Sequence, residues 1–295
     1  MVRKFSFIIM LILLSYTMGA GEKYALTVFI SDYPQESGWN TLNSKNDKML
    51  LLPVLKGLGF DESRVTCLED SQATYADIIK SFEKLLSSVH RGDEVYIHFS
   101  CHGQQISDID GDEALVNPRD KYDEALVPYD ACISYGWNGY EGDCHLLDDT
   151  INEWLGRLSS AVGRDGIVLF VADACHSGDV TRAKVDDDIP GFRGTFDIFR
   201  LPLPVVKTER RSCELNWLSL SACKEFQTNY ECEVNGMKYG RLTYAISKSL
   251  SKGMTVAELV KALEDVYTGI PLPKGKAQTL DAEYPKSMLQ KTLFR

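Results

Sequence analysis

The sequence predicts an α/β fold, a parallel sheet covered by helices on both faces. Three observations predict it. Apolar strand patterns alternate with helical ones along the chain. The strongest strand patterns lack polar alternation, as expected when both faces are buried. The 295 residues, 44% hydrophobic and 25% charged, suit a packed globular chain and exclude collagen-like, disordered and polytopic membrane classes.

The elements follow in order. Residues 24–31 (YALTVFIS) are apolar and β-branched and read as a buried strand. Residues 44–58 read as a helix with a Pro inside, ending at Gly57 and Gly59. Residues 64–68 form a short strand. Residues 74–89 place Ile78, Ile79, Phe82, Leu85, Leu86 and Val89 at helical spacing. Residues 94–100 (EVYIHFS) are a strand, 149–158 a short helix, and 166–172 (GIVLFVA) and 216–222 (NWLSLSA) two more strands. Residues 239–250 and 256–266 are helices, the second capped by Thr255. Stretches 104–147 and 179–214 show no regular pattern; loops of that length are functional or cleavable.

Residues 1–20 read as a secretory signal peptide. Arg3 and Lys4 precede an apolar run at 5–14, and small residues follow through Gly19, Ala20 and Gly21. The expectation is an exported protein, periplasmic, envelope-bound or extracellular, with no membrane span once the signal is removed and one domain over 21–295. Export permits disulfides. Cys132 could pair with Cys144, and Cys213 with Cys223 or Cys232; spacing leaves the connectivity open. The 42 acidic against 32 basic residues, net −10, argue against non-specific nucleic-acid binding, which needs clustered Lys and Arg. They suit cationic substrates or metal ions.

Functional residues of such sheets collect at the carboxyl ends of strands. Two strands end in reactive side chains: 94–100 runs into Cys101-His102-Gly103, and 166–172 into Asp173-Ala174-Cys175-His176-Ser177-Gly178. If these strands are neighbours, His102 and Cys175 meet at one edge as general acid/base and nucleophile. Gly103 and Gly178 leave backbone N–H groups open to an oxyanion. Adjacent Cys-His pairs diverge too much to share a zinc ion.

At these residues the chain resembles the caspase-type cysteine peptidases, most closely the metacaspase branch. An apolar strand ending in Ser-x-His-Gly, then one ending in Asp-x-Cys-His-Ser-Gly, is the core of the resemblance. Further segments agree in order: Leu42 to Asp47 (LNSKND), Asp110-Gly111-Asp112-Glu113, Tyr122-Asp123-Glu124, Leu147-Asp148-Asp149, Ser221-Ala222-Cys223-Lys224, and Gly240 to Ala245. The resemblance implies a three-layer sandwich with a central, mostly parallel sheet of about six strands. It implies Cys175 as nucleophile and His102 as its partner. It implies Asp47, Asp173 and Ser100 around the primary specificity pocket, hence protein or peptide substrates with Arg or Lys before the scissile bond. No cofactor is required for this chemistry. The resemblance also implies Ca²⁺ at Asp123, Asp148 and Asp149, although Arg182 replaces a fourth family carboxylate.

Cys101 replaces the family's usual Gly and is a candidate oxidation partner for Cys175. Residues 131–143 look like an insertion. The segment 179–214, with Arg182, Lys184, Arg193, Arg200, Lys207, Arg210 and Arg211, is a candidate self-processing loop. Two other readings stay open: a catalytically silent caspase-like binding protein, and a clan-related peptidase or ligase of other specificity.

Overall fold

The computed structural model of the chain describes residues 21–108, 111, 122–175, 191–202, 216–224 and 227–295. The apolar runs pair into one six-stranded sheet. Its strands are β1 (Lys23–Phe29), β2 (Val65–Glu69), β3 (Glu94–Ser100), β7 (Ile167–Asp173), β8 (Leu218–Ser221) and β11 (Asp281–Glu283). The order across the sheet is β11-β8-β7-β3-β1-β2. Every neighbouring pair is parallel except β11 with β8. Short antiparallel edges on a parallel sheet are common in such folds.

The period-two geometry of a strand sends alternate side chains to opposite faces. In β3, Val95, Ile97 and Phe99 enter one core while Tyr96 enters the other; in β7, Val168 and Phe170 oppose Leu169 and Val171. Two helices, α2 (Tyr75–Ser88) and α3 (Asp148–Val162), cover the first face with Ile78, Phe82, Trp154 and Leu155. Phe82 stacks on Trp154 at 5.6 Å between ring centroids. Helices α1 (Ser44–Gly57), α4 (Arg241–Ser249) and α5 (Val256–Gly269) cover the second with Leu51, Leu55, Leu242, Leu259 and Leu263. Each such buried Leu or Phe contributes about 1.5–3 kcal/mol by leaving water. Thr255 caps α5 through a reciprocal bond with Glu258.

Three expectations are corrected. The stretch 104–147 is not irregular throughout: β4 (Gly103–Ser107), β5 (Tyr122–Leu126) and β6 (Leu146–Leu147) form a second antiparallel sheet. β4 (GQQIS) and β5 (YDEAL) are short and largely polar and β6 is only two leucines; Ile106 and Ala125 pack against Phe199. The helix expected at 239–250 starts at Arg241, because β10 (Met237–Gly240) pairs with β9 (Glu231–Val234) in a hairpin. Asn235 and Gly236 form its tip with φ of 53° and 77°, the left-handed pair that favours Asn-Gly. Cys132 and Cys144 are thiols, so no disulfide closes that loop.

Residues 1–20 and Cys213 lie outside the described residues. Among the described residues, no helix is long and apolar enough to cross a membrane.

Candidate active site

The two reactive strand ends are set side by side. β3 and β7 pair in parallel with Ser100 opposite Asp173, and two residues further along each chain stand His102 and Cys175. Both are 1% exposed.

His102 is held on three sides. Its Nε2 lies 2.8 Å from the Asn40 carbonyl oxygen, its ring stacks on Trp39 at 4.9 Å, and its backbone N–H donates to Tyr33 Oη. A carbonyl only accepts, so Nε2 carries the proton and a neutral ring presents a bare lone pair at Nδ1. That Nδ1 is buried with no hydrogen-bond partner among the described residues. Burial pushes the imidazole down to about 4, against the pull of the Asn40 carbonyl. At neutral pH His102 is therefore a base. Cys175 Sγ lies 3.7 Å from the Gln227 carbonyl oxygen.

Two backbone amides converge beside the sulfur. Gly103 N–H and Cys175 N–H both donate to the carbonyl oxygen of Arg193, at 3.2 and 3.0 Å. Gly103 is the expected donor; the second is the amide of Cys175 itself. Gly178 lies outside the described residues.

The pocket residues meet as expected, with one addition. Asp47 sits in the first turn of α1, Ser100 at the end of β3 and Asp173 at the end of β7, all fully buried. Between them lies the Arg193 guanidinium. Its Nη2 donates to Asp47 Oδ2 at 2.7 Å and to Glu231 Oε1 at 3.2 Å. Its Nη1 donates to Ser100 Oγ at 2.7 Å and to the Asp173 carbonyl oxygen at 3.2 Å. Glu231, at the start of β9, is the carboxylate that sequence reasoning missed. Asp173 faces the guanidinium at 4.0 Å, but its carboxylate chiefly accepts from Asn229 Nδ2 and from the N–H and Oγ1 of Thr243. It anchors the start of α4 to the pocket. Burial pushes Asp47 up to about 6, opposed by the charge of Arg193.

Beside this pocket runs a cleft of about 500 Å³, lined by Trp39, Asn40, His102, Gly194 and Lys238 among others.

The thiol expected to partner Cys175, Cys101, is packed in the apolar core, where burial pushes it up to about 12. The thiol sharing an acceptor with Cys175 is Cys223, whose Sγ lies 3.1 Å from the same Gln227 oxygen. For calcium, Asp123 is on β5 and Asp148 and Asp149 open α3. Among the described residues, no three His, Cys, Asp or Glu side chains group as a metal site.

Burial of imidazoles has a consequence for stability. His98, His102 and His145 are pushed down to about 3, 4 and 4, in each case mainly by burial. Between pH 6.5 and about 4 the unfolded chain binds protons at these sites and the folded chain does not, so stability falls as pH falls. Asp47, raised in the folded state, binds its proton first there and offsets part of the loss between about pH 6 and 4. One pKa unit is about 1.4 kcal/mol, so three sites outweigh one. The expected outcome is a loss of several kcal/mol between pH 7 and 4.5, read as a falling urea midpoint. A flat midpoint across that range would contradict it.

Comparison with known proteins gives the family of the chain. The family described as Caspase domain matches residues 22–292. The chain is 31% identical over 165 residues to "Metacaspase III c" of Phaeodactylum tricornutum, covering 54% of this chain and 44% of that protein. It is 23% identical over 306 residues to "Metacaspase-1" of Schizosaccharomyces pombe, covering 86% and 66%. The chain thus spans under two thirds of either relative. Caspase-1 from Spodoptera frugiperda shares the fold, with a TM-score of 0.58 at 12% identity over 93% of this chain and 90% of that one.

Proposed function

Because the chain belongs to the caspase-domain family, we propose that it is a metacaspase-type cysteine endopeptidase cutting after Arg or Lys. The observation that carries the reading is the ring of Asp47, Ser100, Asp173 and Glu231 around one guanidinium, beside Cys175 and two converging amides. Carboxylates aimed at a planar guanidinium give charge-assisted bonds that a neutral or acidic side chain would forfeit.

In the proposed reaction, His102 Nδ1 takes the Cys175 thiol proton as the sulfur attacks the substrate carbonyl carbon. The Gly103 and Cys175 amides hold the oxygen as it gains charge. The same imidazole returns the proton to the leaving amine. Water then hydrolyses the thioester with His102 again as base. The proposal extends to one domain over 21–295, to removal of residues 1–20 on export, and to regulation by Ca²⁺ through Asp123, Asp148 and Asp149.

The test is hydrolysis of fluorogenic peptides ending in Arg, Lys or Asp by the purified chain under reductant. The expected result is turnover after Arg and Lys that vanishes in Cys175→Ala. Turnover only after Asp would overturn the pocket assignment; equal turnover in Cys175→Ala would overturn the nucleophile. Parallel lanes with calcium and with chelator decide the Ca²⁺ element, and the N-terminal residue of exported protein decides the leader.

A further inference from the structure

Behind Asp173 lies a buried titratable side chain that the proposed reaction does not use, His98. Tyr96 and His98 share one face of β3 and are fully buried, as is Thr243 in the first turn of α4. Tyr96 Oη lies 3.0 Å from His98 Nδ1, and His98 Nε2 lies 3.0 Å from Thr243 Oγ1. Thr243 Oγ1 in turn donates to Asp173 Oδ2 at 2.7 Å. The direction of every proton follows from that end. A carboxylate accepts, so the threonine hydroxyl spends its proton there. Its oxygen must then accept from His98, which puts the ring proton on Nε2 and leaves Nδ1 to accept from Tyr96. One ring proton is what a neutral imidazole has, and burial keeps this one neutral. The ring lies against Phe29 at 5.7 Å and Tyr96 at 5.9 Å between centroids. A second chain reaches the other oxygen. Gln278 Nε2 donates to Asn229 Oδ1 at 2.7 Å, and Asn229 Nδ2 donates to Asp173 Oδ1 at 2.9 Å. The Asn229 carbonyl accepts the Arg193 N–H at 3.1 Å.

Both chains consist of neutral donors that point towards Asp173. Donors aligned head to tail polarise one another, and a buried charge needs such partners. A cation built in behind Asp173 would cancel its charge; neutral donors hold the carboxylate without cancelling it. Among the described residues, the cation paired with Asp173 is the guanidinium on its pocket side, at 4.0 Å. We infer that Tyr96, His98 and Thr243 are positioning residues for Arg recognition: they fix the Asp173 carboxylate through neutral hydrogen bonds, so that its charge is left for a guanidinium in the pocket. The inference rests on the peptidase reading above and deepens its pocket. None of the three touches the substrate, and each acts through Asp173.

The experiment compares the full chain with Thr243→Val, Thr243→Ser and Tyr96→Phe on two fluorogenic peptides. One ends in Arg and the other in citrulline, which has the shape of Arg without its charge. Thr243→Val keeps the side chain's size and removes the hydroxyl. It should raise KM on the Arg-ended peptide about tenfold or more, change kcat far less, and lower the Arg-over-citrulline ratio of kcat/KM by a similar factor. Thr243→Ser keeps the hydroxyl and should restore both values. Tyr96→Phe leaves His98 Nδ1 without its donor and should lower the ratio by about threefold. Lost packing alone would lower the melting temperature and leave that ratio where it was. If Thr243→Val does not fold, Tyr96→Phe, which loses one oxygen, carries the test. NMR of the histidine ring nitrogens should find His98 protonated at Nε2; a proton at Nδ1 would overturn the relay. An unchanged ratio in the folded variants would overturn this inference and leave the peptidase reading standing. Turnover of neither peptide by the unmodified chain would overturn both.

Discussion

On the proposed reading, His102→Ala is expected to lower kcat/KM on Arg-ended peptides by at least about 10³-fold, because a nucleophile and its base act as a unit. The geometry says which part of the ring matters. Nε2 is tied to the Asn40 carbonyl, while the buried Nδ1 has no partner among the described residues. A polar atom buried without a partner costs free energy, and a site that transfers protons gives it a use. His102→Gln retains polarity but not the titrating lone pair, so it should fall with His102→Ala. If either variant keeps more than a tenth of the activity, proton transfer by this ring is wrong and the imidazole is a packing group under Trp39.

The second large effect is expected at Asp47. Asp47→Asn keeps shape and removes the charge that meets the guanidinium at 2.7 Å. Losing one member of a buried, hydrogen-bonded charge pair costs roughly 2–5 kcal/mol, so kcat/KM on Arg-ended peptides should drop by about 10²-fold or more. Asp47 Oδ1 also accepts from the Gly240 N–H, which ties α1 to the end of the β9–β10 hairpin. An amide oxygen can still serve that bond, so the fold should persist, as a thermal melt would show. Peptides with an uncharged residue at the same position should lose far less. An Arg preference undiminished in Asp47→Asn would move the burden of selectivity to Glu231.

The core strands, and the strand ends that carry His102 and Cys175, were legible because their signals are local. The residues expected for one strand, 94–100, are those of β3, and the His102 and Cys175 segments follow from strand-end chemistry. Asp47, Ser100 and Asp173 came from the family resemblance, and the fold brings all three to one guanidinium. What escaped was whatever depends on distant segments meeting. Glu231 joins the pocket only because the β9–β10 hairpin lies against α1, and Asn235-Gly236 was the available signal for that hairpin. Arg193 was one of several basic residues in a long loop; its place follows from pairing with residues 229–231, which no local pattern encodes. Cys223 sits near Cys175 because β8 is the neighbour of β7. Cys101, adjacent to the dyad in sequence, faces the core instead, since alternation along β3 sends it there.

The pairing of β3 with β7 also decides more than neighbourhood. Continuing the Ser100–Asp173 register by two residues sets His102 level with Cys175. A slip of one residue would set His102 level with Ala174 and turn every β7 side chain to the opposite face of the sheet. Val168 and Phe170 would exchange cores with Leu169 and Val171. The alignment of His102 with Cys175 is thus guarded by apolar contacts far below the cleft. A substitution deep in the sheet that loosens this alignment would part His102 from Cys175 without altering either residue or the lining of the cleft.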